Sequence, residues 1–223
     1  MGYKIILFDF DGTIADTFDA AVEIWNILAR EYRFRPLPSE DIETARDMST
    51  RQLMKFLGVP ATRLPGIASR GIRELRSRIS AVQPIPGMPD ALRALRAAGI
   101  PLGILTSNSS ENVMTVCRQH DIDFFQFVRT SSRLLGKAHE MKALLRDLQL
   151  EPHEVLYVGD ETRDIEASRK VGMPVAAVAW GYNSEKALRA LEPEFYLTTP
   201  TELVSVCASG VMPPVLDQPV LDQ

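Results

Sequence analysis

The chain has 223 residues, 45% hydrophobic and 24% charged, which supplies one substantial core and excludes a disordered or fibrous chain. Its net charge of −4, with acids and bases interspersed, offers no basic surface to a nucleic-acid backbone. Cys117 and Cys207 both fall in apolar-periodic runs, so they are expected as buried thiols in a reducing compartment, neither a disulfide framework nor a metal site.

The first predicted element is an apolar strand over residues 4–8, cut off by Asp9 and Asp11. That run is too short for a signal peptide or a membrane span, so a cytoplasmic protein with no membrane partner is expected. Residues 17–82 then show helical periodicity without a convincing strand. The first helix there carries Phe18, Val22, Trp25 and Ala29 on one stripe, and the last carries Ile72, Leu75, Ile79 and Val82 on another. The two stripes are expected to pack on each other and on the core.

Beyond residues 84–87 the pattern changes. Helices are predicted over 88–98, 111–120, 137–148 and 162–171, with Gly99 and Gly172 as stops. Strands are predicted over 101–105, 125–129, 154–158, 174–179 and 195–197. Apolar strand, polar tip, then helix is the pattern of a doubly wound sheet. The expected fold class is α/β: a three-layer, Rossmann-like core with a mostly parallel central sheet, built from residues 1–16 and 83–208, plus an inserted all-helical cap over 17–82. Residues 214–218 recur as 219–223, a tandem copy too short to build structure, so 209–223 is expected as a mobile tail.

Parallel strands deliver their C-terminal ends to one edge, where Asp9, Asp11, Thr106, Asp160 and Asp164 can converge. Carboxylates crowded there repel one another unless a cation sits among them, and an oxygen-only donor set favours Mg²⁺ over zinc. Mg²⁺ retains waters and binds phosphate oxygens, so this cluster, with the Thr106 hydroxyl and the Lys137 charge, suits a phosphoryl group.

On these residues the sequence resembles the haloacid dehalogenase superfamily. Asp9-Phe10-Asp11-Gly12-Thr13 matches its first motif, Thr106 its second, Lys137 its third, and Gly159-Asp160-Glu161-Thr162-Arg163-Asp164 its fourth, in order across the core. The branch it looks like is that of phosphatases with a helical C1-type cap, similar to phosphoglycolate phosphatase. The resemblance implies that Asp9 is the nucleophile and a metal ligand. Asp11 would protonate the leaving alkoxide and then deprotonate the attacking water, while its backbone carbonyl reaches the metal. Thr106, with Ser107 and Asn108, would bind the phosphoryl oxygens, and Lys137 would balance their charge. Asp160 would bind Mg²⁺ directly and Asp164 through water or through Lys137. Many relatives follow the lysine with proline, whereas Ala138 stands here, which leaves Lys142 as a competitor. Arg46 and Arg51 flank a break between cap helices where relatives place substrate-selecting contacts, and they are candidates for that role.

The implied activity is Mg²⁺-dependent hydrolysis of a small phosphomonoester through an aspartyl-phosphate. Asp11 argues for phosphoester chemistry, because relatives that dehalogenate or cleave phosphonates lack an aspartate there. A sugar-phosphate mutase is an alternative, but mutases carry a histidine in the linker into the cap, and no histidine precedes His120. A non-enzymatic phosphorylatable switch is another, disfavoured by an insertion whose size suits a water-excluding lid. Arg63, Arg70, Arg73, Arg76 and Arg78 read as a solvated helix face, and the three histidines show no metal-ligand spacing. The expected partner is a small phosphorylated metabolite; its identity and the oligomeric state are left open.

Overall fold

The computed structural model describes residues 3–131 and 136–208; the expected tail at 209–223 lies outside them. Strand β1 (Ile5–Phe8) leads into four helices without an intervening strand: α1 (Phe18–Tyr32), α2 (Ile42–Arg46), α3 (Thr50–Phe56) and α4 (Leu64–Arg76). The chain then alternates through α5 (Met88–Ala97), β2 (Leu102–Thr106), α6 (Ser110–Gln119), β3 (Phe127–Thr130), α7 (Lys137–Leu148), β4 (Val155–Gly159) and α8 (Thr162–Arg169). It closes with β5 (Val175–Val178), α9 (Glu185–Arg189), β6 (Phe195–Leu197) and α10 (Pro200–Ala208). Helices α9 and α10 have no counterpart in the sequence reading. The first is only five residues long and starts from a Ser184 cap that accepts the Ala187 N–H.

All six strands are parallel, in the order β3-β2-β1-β4-β5-β6. The four central strands, β1, β2, β4 and β5, are buried along their whole length, on both faces of the sheet. Ile6, Phe8, Ile104, Leu156 and Val158 point into one core layer, and Ile5, Leu7, Leu105, Val155 and Tyr157 into the other. The order reverses at β1, so the crevice outside its C-terminal end is where an open α/β sheet binds its ligand. Asp9 continues that strand, its N–H donating to the Val158 carbonyl at 2.8 Å.

Helix α1 packs on α4 through Ile24 and Leu28, which lie against Gly71. This corrects the expected stripe: of Phe18, Val22, Trp25 and Ala29, only Ala29 is buried. The other three are half-buried and border a cavity, with Val22 and Trp25 also packed against the core. A second correction concerns the last cap helix, which ends at Arg76 and passes into a 3₁₀ turn at Ile79–Ala81. Leu75, Ile79 and Val82 are buried as expected, whereas Ile72 is half-buried. Cys207 is also only half-buried, unlike Cys117.

One seam between the cap and the core runs through the segment after β5. Asn183 donates to the carbonyls of Arg46 and Met48 at 2.8 and 3.0 Å, and the Ser184 N–H donates to the Arg46 carbonyl at 2.9 Å. Three of the basic cap residues pair with neighbours: Arg70 with Glu74, Arg78 with Glu23, and Arg76 with Glu111 of α6. Among the described residues no helix is long and apolar enough to cross a membrane.

Candidate active site

Three strand tips meet at the C-terminal edge: Asp9 and Asp11 follow β1, Thr106 ends β2, and Asp160 follows β4. Asp9, Thr106, Asp160 and Asp164 are all buried, while Asp11 is half-buried at the mouth. One carboxylate oxygen each of Asp9, Asp160 and Asp164 lies within 4.8 Å of the others.

Lys137, the first residue of α7, inserts between two of these acids. Its Nζ lies 2.7 Å from Asp9 Oδ2 and also donates to Asp164 Oδ1. It sits 5.3 Å from the centroid of the Tyr157 ring. Burial works against the ammonium, yet the Asp164 and Asp9 charges outweigh it and hold the amine above its ordinary range. Lys142, the competitor, is exposed one turn further along α7.

Asp160 is clamped by the Thr13 hydroxyl and the Tyr182 N–H, both at 2.7 Å. The fit is close on two sides. A Cβ on Gly12 or on Gly181 would overlap the Asp160 carboxylate, so both positions admit only glycine; at Gly12, φ +73° adds a second reason. Asp164 accepts the Glu161 N–H at 3.2 Å in a capping box that starts α8, so the same side chain caps a helix and braces Lys137.

Asp11 is held by Asn108, whose amide donates to Oδ1 at 3.0 Å and to Oδ2 at 3.1 Å. Asn108 in turn accepts from the Asn112 amide at 2.9 Å, and its N–H donates to Thr106 Oγ1 at 3.0 Å. Ser107 is half-buried beside them. Burial, then the Asp9 charge, push the Asp11 carboxyl up to about 7 against the Thr17 and Asn108 hydrogen bonds. Burial and then the neighbouring Glu161 and Asp9 charges hold Asp160 well above the usual carboxylate range. Burial raises Asp164 to about 6, although Lys137 opposes it.

The geometry thus brings Asp9, Asp11, Thr106, Asn108, Lys137, Asp160 and Asp164 together. It does not bring Arg46 or Arg51 to the acids: Arg46 donates to the Gly181 carbonyl at 3.0 Å, and Arg51 is exposed on α3. Sequence reasoning missed Tyr182 and Asn183, which follow β5, and Arg163, which pairs with Glu161. The available signal was positional. A polar segment after a parallel strand lies on the binding edge whether or not it carries acids.

A model of the haloacid dehalogenase-like hydrolase family matches residues 6–178, a span that includes every one of these acids. The chain belongs to that family, and its activity class is that of a phosphatase, a phosphoric monoester hydrolase. It is similar to the phosphoglycolate phosphatase of Synechococcus elongatus, 34% identical across 90% of this chain and 95% of the relative. It is also similar to the pyrophosphatase PpaX of Anoxybacillus flavithermus, 27% identical across 92% of this chain and 97% of that protein. The crystal structure of a predicted phosphatase from Clostridium acetobutylicum matches with a TM-score of 0.79 over 94% of this chain and 100% of that one; at 15% identity this is a likeness of fold alone.

Proposed function

We propose that this phosphatase is Mg²⁺-dependent, that Asp9 carries the phosphoryl group as an aspartyl-phosphate, and that the substrate is a small phosphomonoester of the phosphoglycolate type. The observation that carries the reading is the meeting of Asp9, Asp160 and Asp164 within 4.8 Å, beside a lysine and away from bulk water.

The donor set fits the ion. The oxygens are hard and the carboxylates are buried; burial first, and the neighbouring carboxylates after it, raise the Asp160 and Asp164 carboxyls, an environment that a bound cation would relieve. Asp9, Asp160 and the Asp11 backbone carbonyl would hold Mg²⁺, with Asp164 reaching it through water or acting through Lys137. When bound, the ion supplies charge neutralisation for an anionic nucleophile approaching an anionic phosphate.

The chain's own residues divide the remaining work. A carboxylate nucleophile needs no base, only an approach free of repulsion, and Lys137 supplies a fixed positive charge 2.7 Å from Asp9. The Thr106 hydroxyl and the Asn108 amide are donors for phosphoryl oxygens. Asp11, raised to about 7, keeps a proton near neutrality that it can give to the leaving alkoxide, and afterwards it can take one from water. Asn108 holds that carboxyl by both oxygens, which fixes where the proton is delivered.

The test is phosphate release from phosphoglycolate, compared by kcat/KM with sugar phosphates, nucleotides and pyrophosphate. Turnover is expected only with Mg²⁺, and Asp9→Asn is expected to abolish it while the protein stays folded. Metal-independent turnover, or normal rates in Asp9→Asn, would overturn the mechanism. A preference for another phosphoester would overturn only the substrate.

A further inference from the structure

Asn112 lies in the first turn of α6 and is fully buried. Its N–H donates at 3.2 Å to the hydroxyl of Ser109, the residue that caps the helix. That bond uses the backbone alone, so capping does not call for an amide side chain at this position.

The side chain is engaged elsewhere. Its amide donates to Asn108 Oδ1 at 2.9 Å and to the Ile72 carbonyl of α4 at 3.3 Å, so it touches the core and the cap at once. Asn112 Oδ1 is buried without a partner. Turning the amide over would set that oxygen against two other oxygens, so both hydrogens are committed and one acceptor stays unmet. An apolar side chain would fill the space without that penalty, but it could not hold Asn108.

Asn108 is oriented from its other end by Asp11, whose carboxylate accepts its amide at 3.0 and 3.1 Å. Its Oδ1 therefore faces away, toward the Asn112 amide and the Ser109 N–H at 2.8 Å. An amide gripped at both its oxygen and its nitrogen cannot turn, and the carboxyl it holds is fixed with it. Two further contacts join α6 to the cap: Gln119 donates to the Ser80 carbonyl at 3.0 Å, and Glu111 pairs with Arg76. Both are exposed, and of the three residues Asn112 is the one that continues through Asn108 to Asp11.

We propose that Asn112 is a positioning residue for the reaction: acting through Asn108, it sets the angle from which the Asp11 carboxyl meets the leaving oxygen, and the Ile72 carbonyl of the cap anchors it. The inference rests on Asp11 serving as the acid of the mechanism proposed above.

The leaving group supplies the test. An alkoxide must be protonated as it departs, whereas p-nitrophenolate leaves without a proton, so a misplaced acid slows an alkyl phosphoester and spares an aryl one. The full chain with Mg²⁺ is assayed on phosphoglycolate, or another alkyl phosphoester that the parent prefers, and on p-nitrophenyl phosphate. Both are compared by kcat/KM. Asn112→Ser draws the side chain out of reach of Asn108, and Asn112→Asp keeps its shape but sets an oxygen against Asn108 Oδ1. In each, the alkyl-to-aryl ratio of kcat/KM is expected to fall about tenfold or more. Gln119→Ala cuts a neighbouring contact between α6 and the cap and is expected to leave that ratio within about twofold. An unchanged ratio in a folded Asn112 variant, whatever loss the two substrates share, would overturn the proposal, as would an equal fall in Gln119→Ala. If one Asn112 variant fails to fold, the other decides; failure of both would make the residue a structural one and overturn the proposal too. A parent without Mg²⁺-dependent turnover would overturn the mechanism itself, and this inference with it.

Discussion

Lys137 and Asp9 form an ion pair that water cannot screen, with the ammonium shared by Asp164 and stacked over Tyr157. Removing one partner of a buried pair leaves the others charged and unsolvated, which costs more than the pair contributes. Lys137→Ala is therefore expected to lower stability by about 3–5 kcal/mol in urea unfolding and to reduce kcat/KM at least a hundredfold. Lys142→Ala, on the exposed side of the same helix, is expected to stay within about 0.5 kcal/mol of the parent and to keep full activity. Reversed results would return the phosphoryl contact to Lys142. Residues of this kind are legible in the sequence because few side chains can do their work: an acid doublet after an apolar strand and a lysine at a helix start stand out. Asn183 does not stand out. Its importance lies in three partners from distant segments, the Thr162 N–H and the carbonyls of Arg46 and Met48, which only the folded chain assembles.

At the scale of elements, periodicity decides which residues share a face but not which neighbour covers it. The six strands and the core helices α5 to α8 match the sequence reading closely, because a parallel sheet buried on both sides forces unbroken apolar runs between polar tips. Helix α1 departs from this pattern. It has two apolar faces, one toward α4 and one toward the cavity, and the stripe through Phe18, Val22 and Trp25 belongs to the second. Short α9 offers too few turns for any period to show. Helix α4 contains a glycine with no such burden. Gly66 lies in the first turn, is exposed, and a Cβ there meets nothing within 4 Å. Gly66→Ala is expected to raise stability by roughly 0.5–1 kcal/mol, through lost freedom in the unfolded chain, without changing activity. A lower melting temperature in calorimetry would show that the α4 backbone at this point is not the relaxed helix described.

Across the whole molecule the site is a concentration of buried negative charge, and that ties metal, pH and stability together. Asp11 at about 7, Asp164 at about 6 and Asp160 well above its ordinary value of 3.8 all bind protons more tightly in the folded chain than in the unfolded one. A raised acid contributes stability that is fully present below the unfolded value and is lost as pH rises through the folded one, here between about 4 and 7. Each tenfold gain in proton affinity is worth about 1.4 kcal/mol. In the metal-free protein these acids are thus expected to lower the melting temperature from about pH 4 to about pH 7. A divalent cation answers the same charge without a proton, so Mg²⁺ and protons compete for the cluster, and ligand binding to the folded state alone raises stability by mass action. The rise in melting temperature with Mg²⁺ is expected to be small near pH 5 and larger near pH 8, by about 5 °C or more, given about 2–4 °C per kcal/mol for a chain of this length. Calorimetry in chelator and in Mg²⁺ across that range measures both halves of the statement. A metal-induced rise that ignores pH would mean that the ion binds away from these carboxylates, and the proposed site for it would fall with that result.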